Sequence, residues 1–205
     1  MSKIKFTKGE LKRQRDSLKQ FRHYLPTLQL KKQQLQMKIL EARREMADLI
    51  GWLGQKELEI RRWAGLLTET AMDLKPWIIP EAILTTTMNI AGANMPIFHS
   101  VRFKEADYDY YTTPFWVDKA IEILREVSSF QARMEVIKRQ LVVLEKELRV
   151  TTQRVNLFEK IKIPECLDNI RRIRISLGDQ QANAVGISKV AKRKIEIREW
   201  EAVLA

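Results

Sequence analysis

A seven-residue repeat runs through the first third of the chain and constrains what the rest can be. Positions 11, 18, 25, 32, 39, 46, 53, 60, 67 and 74 read Leu, Leu, Leu, Lys, Ile, Met, Leu, Ile, Leu and Leu. The series three residues on reads Gln14, Phe21, Leu28, Leu35, Ala42, Leu49, Lys56, Trp63 and Thr70, and the flanking positions are mostly charged. Two apolar positions in seven make a narrow stripe on a helix, the width of a coiled-coil seam. A strict 3.5-residue period drifts around a straight helix, so the helix must supercoil left-handedly to keep the seam buried. One helix of about 65 residues would be roughly 95 Å long at ~1.5 Å per residue.

The C-terminal half repeats the pattern. Val127, Met134, Leu141, Leu148 and Val155 interleave with Ile123, Phe130, Ile137, Leu144, Thr151 and Phe158. A phase change is expected near Pro164, beyond which Ile163, Ile170 and Leu177 carry a second seam with Leu167 beside it. Two helices of matched length in one chain most simply pair with each other. The expected fold is therefore all-α: two very long helices forming an antiparallel left-handed coiled coil, with a short β-hairpin between them. A compact multi-helix bundle would need breakers every ~15–25 residues.

The expected divisions are a long N-terminal helix over 1–75, a connecting segment over 76–114, a second long helix over 115–178 and a basic C-terminal segment over 179–205. The pattern leaves the order of that last segment open. Pro26 should kink the first helix, at a cost of about 3 kcal/mol. Gly51, Gly54 and Gly65 weaken it by up to ~1 kcal/mol each, yet the heptad phase passes all four sites without a slip. Four of the six prolines fall between the stripes. There, Ile83 to Ile90 is rich in Thr and β-branched residues, and Met95, Ile97, Val101 and Phe103 alternate with polar or small positions. Ala91-Gly92-Ala93-Asn94 supplies turn residues, with Gly92 and Asn94 the candidates at the turn.

Composition removes several chemistries. One cysteine in 205 residues, Cys166, excludes an intrachain disulfide and a cysteine-rich zinc site. His23 and His99 have no companions at metal-ligand spacing, and no phosphate-cradling G-x-x-x-x-G-K-[ST] occurs. No catalytic residues, cofactor or metal are expected. The longest uncharged stretch, Ala82 to Val101, holds three Thr, two Asn, Gly92, Pro96 and His99, which argues against a bilayer span. The expectation is a soluble intracellular protein without direct membrane insertion.

The net charge of +11 is unevenly spread. Residues 1–40 contribute +9, residues 160–198 contribute +6, and the remainder sums to −4. An antiparallel hairpin brings those two basic stretches together. Nucleic acid is one reading of such a site, but no aromatic stacking platform, recognition helix or zinc motif accompanies the charge. A membrane surface would want a wide apolar face on a free helix. A third reading is a protein socket with an acidic or polar opening, and a merely solvated basic face is the plain alternative.

At the level of motifs the chain resembles the D subunit, the central rotor shaft of V-type and archaeal/bacterial A/V-type ATPases. The opening Thr7-Lys8-Gly9-Glu10-Leu11-Lys12 and the mid-chain Asn89-Ile90-Ala91-Gly92-Ala93-Asn94-Met95-Pro96 are similar to that family. The most specific match is Thr151-Thr152-Gln153-Arg154-Val155-Asn156 leading to Ile163-Pro164. The likeness spans roughly Thr7 to Ile195. It departs where the family commonly has a Glu-rich stretch, since here Leu177 to Gly186 carries two glycines and little charge.

The resemblance implies a non-catalytic subunit that couples ATP turnover to proton or sodium transport by rotation. Its partners would be the A and B subunits of a catalytic ring, the F subunit of the central stalk and a membrane rotor connector, with no nucleic acid involved. It would lie in the cytoplasm, peripheral to the membrane. Lys12, Arg13, Arg15, Lys19, Arg171, Arg172 and Arg174 are then the candidate contacts inside the ring. Thr151, Thr152, Arg154, Val155 and Asn156 would lie on the shaft at the ring's mouth or against the F subunit. The alternative is a basic coiled-coil scaffold or nucleic-acid-binding protein.

Overall fold

The computed structural model describes residues 4–65, 73–109, 111 and 113–204, and for 199–204 the backbone alone. Its elements are α1 (Lys8–Arg61), α2 (Lys75–Ile78), β1 (Ala82–Ile90), β2 (Ala93–Arg102), α3 (Trp116–Asn156), a π-helical segment (Leu157–Lys162) and α4 (Ile163–Leu204). Among the described residues the long helices with one two-stranded hairpin are the expected fold class. The chain forms two compact units, residues 30–152 and residues 1–29 with 153–205.

In the unit of residues 30–152, α1 and α3 lie antiparallel. Leu35 and Ile39 pack on Leu144, while Ala42 and Leu49 pack on Ile137. Every seam position from Leu11 to Trp63, and every one from Ile123 to Phe158, is buried or half-buried. Ion pairs between the helices flank the seam: Lys31 with Glu147 at 3.9 Å, Arg43 with Glu145 at 2.8 Å, Lys56 with Glu126 at 3.3 Å, and Arg133 with Glu45. Pairs at such flanking positions select orientation and register more than they add stability. Trp52, just off the seam, lies on Phe130 with ring centroids 3.9 Å apart.

The first helix is shorter than the heptads suggest. It ends at Arg61, where Arg62 and Trp63 turn back by i→i−3 bonds to Glu59 and Ile60. Lys56 already faces Glu126, so Arg61 stands level with the first turns of α3. Trp63, the last described seam position before Leu74, is half-buried beyond the helix end. Leu67 and Thr70 lie outside the described residues. Leu74 instead joins Val117 and Ile121 in a separate cluster with Trp77, Ile78, Ala106, Tyr108 and Trp116.

Arg125 ties this cluster to α3. Its guanidinium donates to Trp77 O at 2.8 Å and Lys104 O at 2.6 Å, and lies 5.5 Å from the Phe103 ring centroid. The hairpin between those two carbonyls turns on Ala91 (φ 51°) and Gly92 (φ 80°). Two successive positive φ values are the signature of a type I′ turn, which suits the strand twist. Asn89 steadies the turn, its carbonyl oxygen accepting from Gly92 N at 3.0 Å. Asn94 is not in the turn: it is the second residue of β2, facing Asn89 across the ladder and accepting from its amide at 2.6 Å.

Candidate functional site

The unit formed by the two chain termini holds the residues expected to make contacts. Thr7 opens α1 as an N-cap, its hydroxyl accepting from Glu10 N at 3.3 Å. The helix continues through Pro26, losing one backbone bond there. Phe21 meets Phe158 at 5.0 Å between ring centroids, and Val155, Cys166, Ile170 and Ile173 are buried.

The seam changes phase inside this unit. From Phe158 a regular heptad would next bury Glu165, but Glu165 is exposed and Cys166 is buried. The extra residue is absorbed by the π-helical segment, where Ile163 N–H bonds to Phe158 O, five residues back. Pro164 supplies the reason, because in an α-helix its ring would crowd the carbonyl of Lys160 and leave it without a donor. Widening the helix just ahead of the proline relieves both and re-aims the seam. Leu167, expected beside the second seam, is exposed; Cys166, Asn169 and Ile173 take the buried positions. Burial pushes the Cys166 thiol above its ordinary range.

All seven predicted basic contacts, Lys12, Arg13, Arg15, Lys19, Arg171, Arg172 and Arg174, are exposed. Arg15, Arg171 and Arg174 line one groove of about 500 Å³ floored by Leu18, Leu167, Ile170 and Ile175, so both ends of the chain contribute to it. Arg13 borders a second groove of about 530 Å³ with Lys5, Lys162, Glu165 and the buried Asn169. Arg172 is paired with Asp168 at 2.8 Å. This unit carries nineteen Lys/Arg against nine Asp/Glu, and residues 30–152 carry eighteen against seventeen. The local excess of +10 is almost the whole net charge.

The motif residues divide by face. Thr151 and Val155 point into the seam, Thr152 is half-buried, and Arg154 and Asn156 are exposed. With the exposed Gln153, the last two present polar groups at the surface. Their run leads directly into the π-helical segment, which gives the motif a physical meaning: it leads into the phase change.

The sequence pattern did not show what happens after Leu177. The helix continues to Leu204 through Gly178 and Gly186, and every described side chain from Gly178 to Arg198 is exposed. Val185, Ile187 and Val190 stand more than half exposed, Ile187 at 70%. A Cβ at either glycine would meet nothing within 4 Å. Loss of the heptad after Leu177 was the available signal that the seam ends there. Among the described residues no group of three potential metal ligands occurs, and no helix is long and apolar enough to cross a membrane.

The family described as the D subunit of ATP synthase matches residues 10–193 of this chain. The chain belongs to that family. It is 45% identical over 197 residues to the V-type ATP synthase D subunit of Borreliella burgdorferi, covering 95% of this chain and 96% of that one. Against the V-type ATP synthase D subunit of Chlamydia pneumoniae the identity is 35% over 198 residues, covering 95% and 94%. The D subunit of Chlamydia caviae is 34% identical over 210 residues, covering 100% and 99%. As a V-type D subunit, the chain is a component of a multisubunit assembly.

Proposed function

We propose that this D subunit is a non-catalytic central-stalk rotor, which couples ATP hydrolysis or synthesis in a ring of A and B subunits to proton or sodium transport by rotation. The unit built from both termini would enter the ring, with Lys12, Arg13, Arg15, Lys19, Arg171, Arg172 and Arg174 on its contact surface. The F subunit and a membrane rotor connector would bind elsewhere, with Arg154 and Asn156 as candidates toward the ring's mouth or the F subunit. The complex would place the chain in the cytoplasm, peripheral to the membrane.

One observation carries this reading: an excess of +10 coincides with a helix whose last described side chains are all exposed. A helical stretch with five large aliphatic residues at least half exposed between Gly178 and Arg198 is expected to be covered by another protein. Many spread, screened charges make weak contacts at several orientations, which suits an element that must turn without being trapped. Each orientation would alter the relative free energies of the surrounding sites, a mechanical form of linkage.

The test is removal of residues 180–205 from the chain in the assembled complex. ATP turnover should become slow or lose its coupling to ion transport. Wild-type rate and coupling in a fully assembled complex would remove the terminal unit from the mechanism.

A further inference from the structure

The hairpin has one protected edge and one bare edge. On β2 the outer side is blocked at its middle: Pro96 has no N–H to offer, and its carbonyl accepts from Gln140 of α3 at 2.6 Å. Met95 is buried against Leu35 and Leu144. β1 is different. Among the described residues the sheet has two strands and β1 has no strand on its far side, and its residues from Ile83 to Asn89 are all exposed. The two-residue turn makes Ile90 and Ala93 a hydrogen-bonded pair, followed by Met88–Met95 and Thr86–Ile97 in the alternation of an antiparallel ladder. The main-chain groups of Thr85 and Thr87 therefore point outward. Thr87 faces Pro96, consistent with a pair that exchanges no ladder bonds.

Exposed edges are normally blunted by charge or proline. Ala82–Ile90 contains neither, only a bulge between Leu84 and Thr85, and it displays Leu84, Met88 and three consecutive threonines. Beside it runs a groove of about 200 Å³ floored by Met88, Ile90, Met95, Ile97, Ala42 and Leu144. The charges on its rim are already matched, Lys38 by Glu41 at 2.5 Å and Glu45 by Arg133. We propose that β1 is a docking edge for an uncharged extended strand of another subunit, which adds to the sheet and places alternate apolar side chains in this groove. The edge supplies unpaired donors and acceptors at strand spacing, and its neutrality over nine residues matches a neutral occupant rather than a basic or acidic one. Arg125 and Gln140 hold the hairpin against α3 at two points, so the edge is preorganised.

This inference rests on the chain being part of the complex, and the experiment separates the two. Backbone hydrogen exchange of Thr85 and Thr87 is measured in the free full-length chain and in the purified native complex. Recovery of the chain in that complex bears on the rotor reading; the two amides bear on β1 alone. Both amides should exchange freely in the free chain and slow by roughly a hundredfold in the complex. Thr87→Pro removes one outward donor without touching a ladder bond to β2. It should leave the free chain monomeric with unchanged helix content, yet lower its recovery in the complex by about tenfold, while Thr87→Val assembles normally. Equal exchange in both states, or normal assembly of Thr87→Pro, overturns the proposal. So does a self-associated free chain with both amides protected, which would seat a second copy on the edge.

Discussion

The two units use the same seam with opposite electrostatics. In residues 30–152 the helices carry balanced charge, and four ion pairs cross between them. In the terminal unit both helices are basic. Among the described residues its ion pairs, Lys162–Glu165, Arg172–Asp168 and Lys192–Glu196, each connect neighbours along one stretch of helix. The first unit pairs its charges across the seam and the second does not. Like charges on facing helices repel, and an uncovered aliphatic helix stays exposed to water, so in the second unit charge and exposed helix together ask for a partner.

The largest test of that contrast is in the seam. Leu144→Ala, at a position 1% exposed, should cost about 2–5 kcal/mol in denaturant unfolding. Ile187→Ala in the uncovered helix should change stability by no more than about 0.5 kcal/mol. Comparable losses at both sites would mean that α4 is packed after all. Next in size is Arg125→Met, which leaves the Trp77 and Lys104 carbonyls without their charged donor and should cost about 2–3 kcal/mol. Amide exchange should accelerate over residues 74–109 and remain unchanged in the terminal unit.

Charge removal should then differ in sign between the units. Arg133→Gln deprives Glu45 of its partner and should destabilise by up to about 1 kcal/mol. Arg171→Gln with Arg174→Gln reduces repulsion, so the melting temperature should rise slightly at low salt and the gain should vanish as salt is added. A fall in melting temperature would show that those arginines are paired rather than self-repelling. The smallest effect concerns Cys166. Its thiol is pushed up by burial, so the protonated form is favoured in the fold. That contribution to stability is complete below the ordinary thiol range and is lost as pH rises through the raised value. Iodoacetamide at pH 8 should react with the folded chain at least roughly tenfold more slowly than with the urea-unfolded chain.

Much of the fold was legible because a coiled coil writes itself into sequence as a period. Phe21, Leu35 and Leu49 on one helix, and Ile137, Leu144 and Val155 on the other, lie inward as the heptads require. The phase change near Pro164 was legible too, since the apolar series shifts there from Phe158 to Ile163 and Ile170. Other features depended on neighbours. The heptads run on to Leu74, but α1 stops at Arg61, and Leu74 packs in a separate cluster with Val117 and Ile121. Asn94 looks like a turn residue, yet Ala91 and Gly92 take the positive φ angles and leave Asn94 in the ladder. At the candidate site, the basic residues were visible as charge. The grooves joining Arg15 to Arg171 and Arg174 were not, because they need the two ends of the chain in one place.

The sequence by itself determined which face of each long helix is buried, where charge accumulates and which family the chain resembles. Those are properties of spacing and composition, carried by each residue wherever its neighbours lie. Tertiary structure alone decided where α1 ends, that α4 continues uncovered past Leu177, and that β1 keeps a bare edge while Gln140 caps the Pro96 carbonyl of β2. Burial is a relation between two surfaces, and a periodic stripe states the need for a partner without saying where the partner stops.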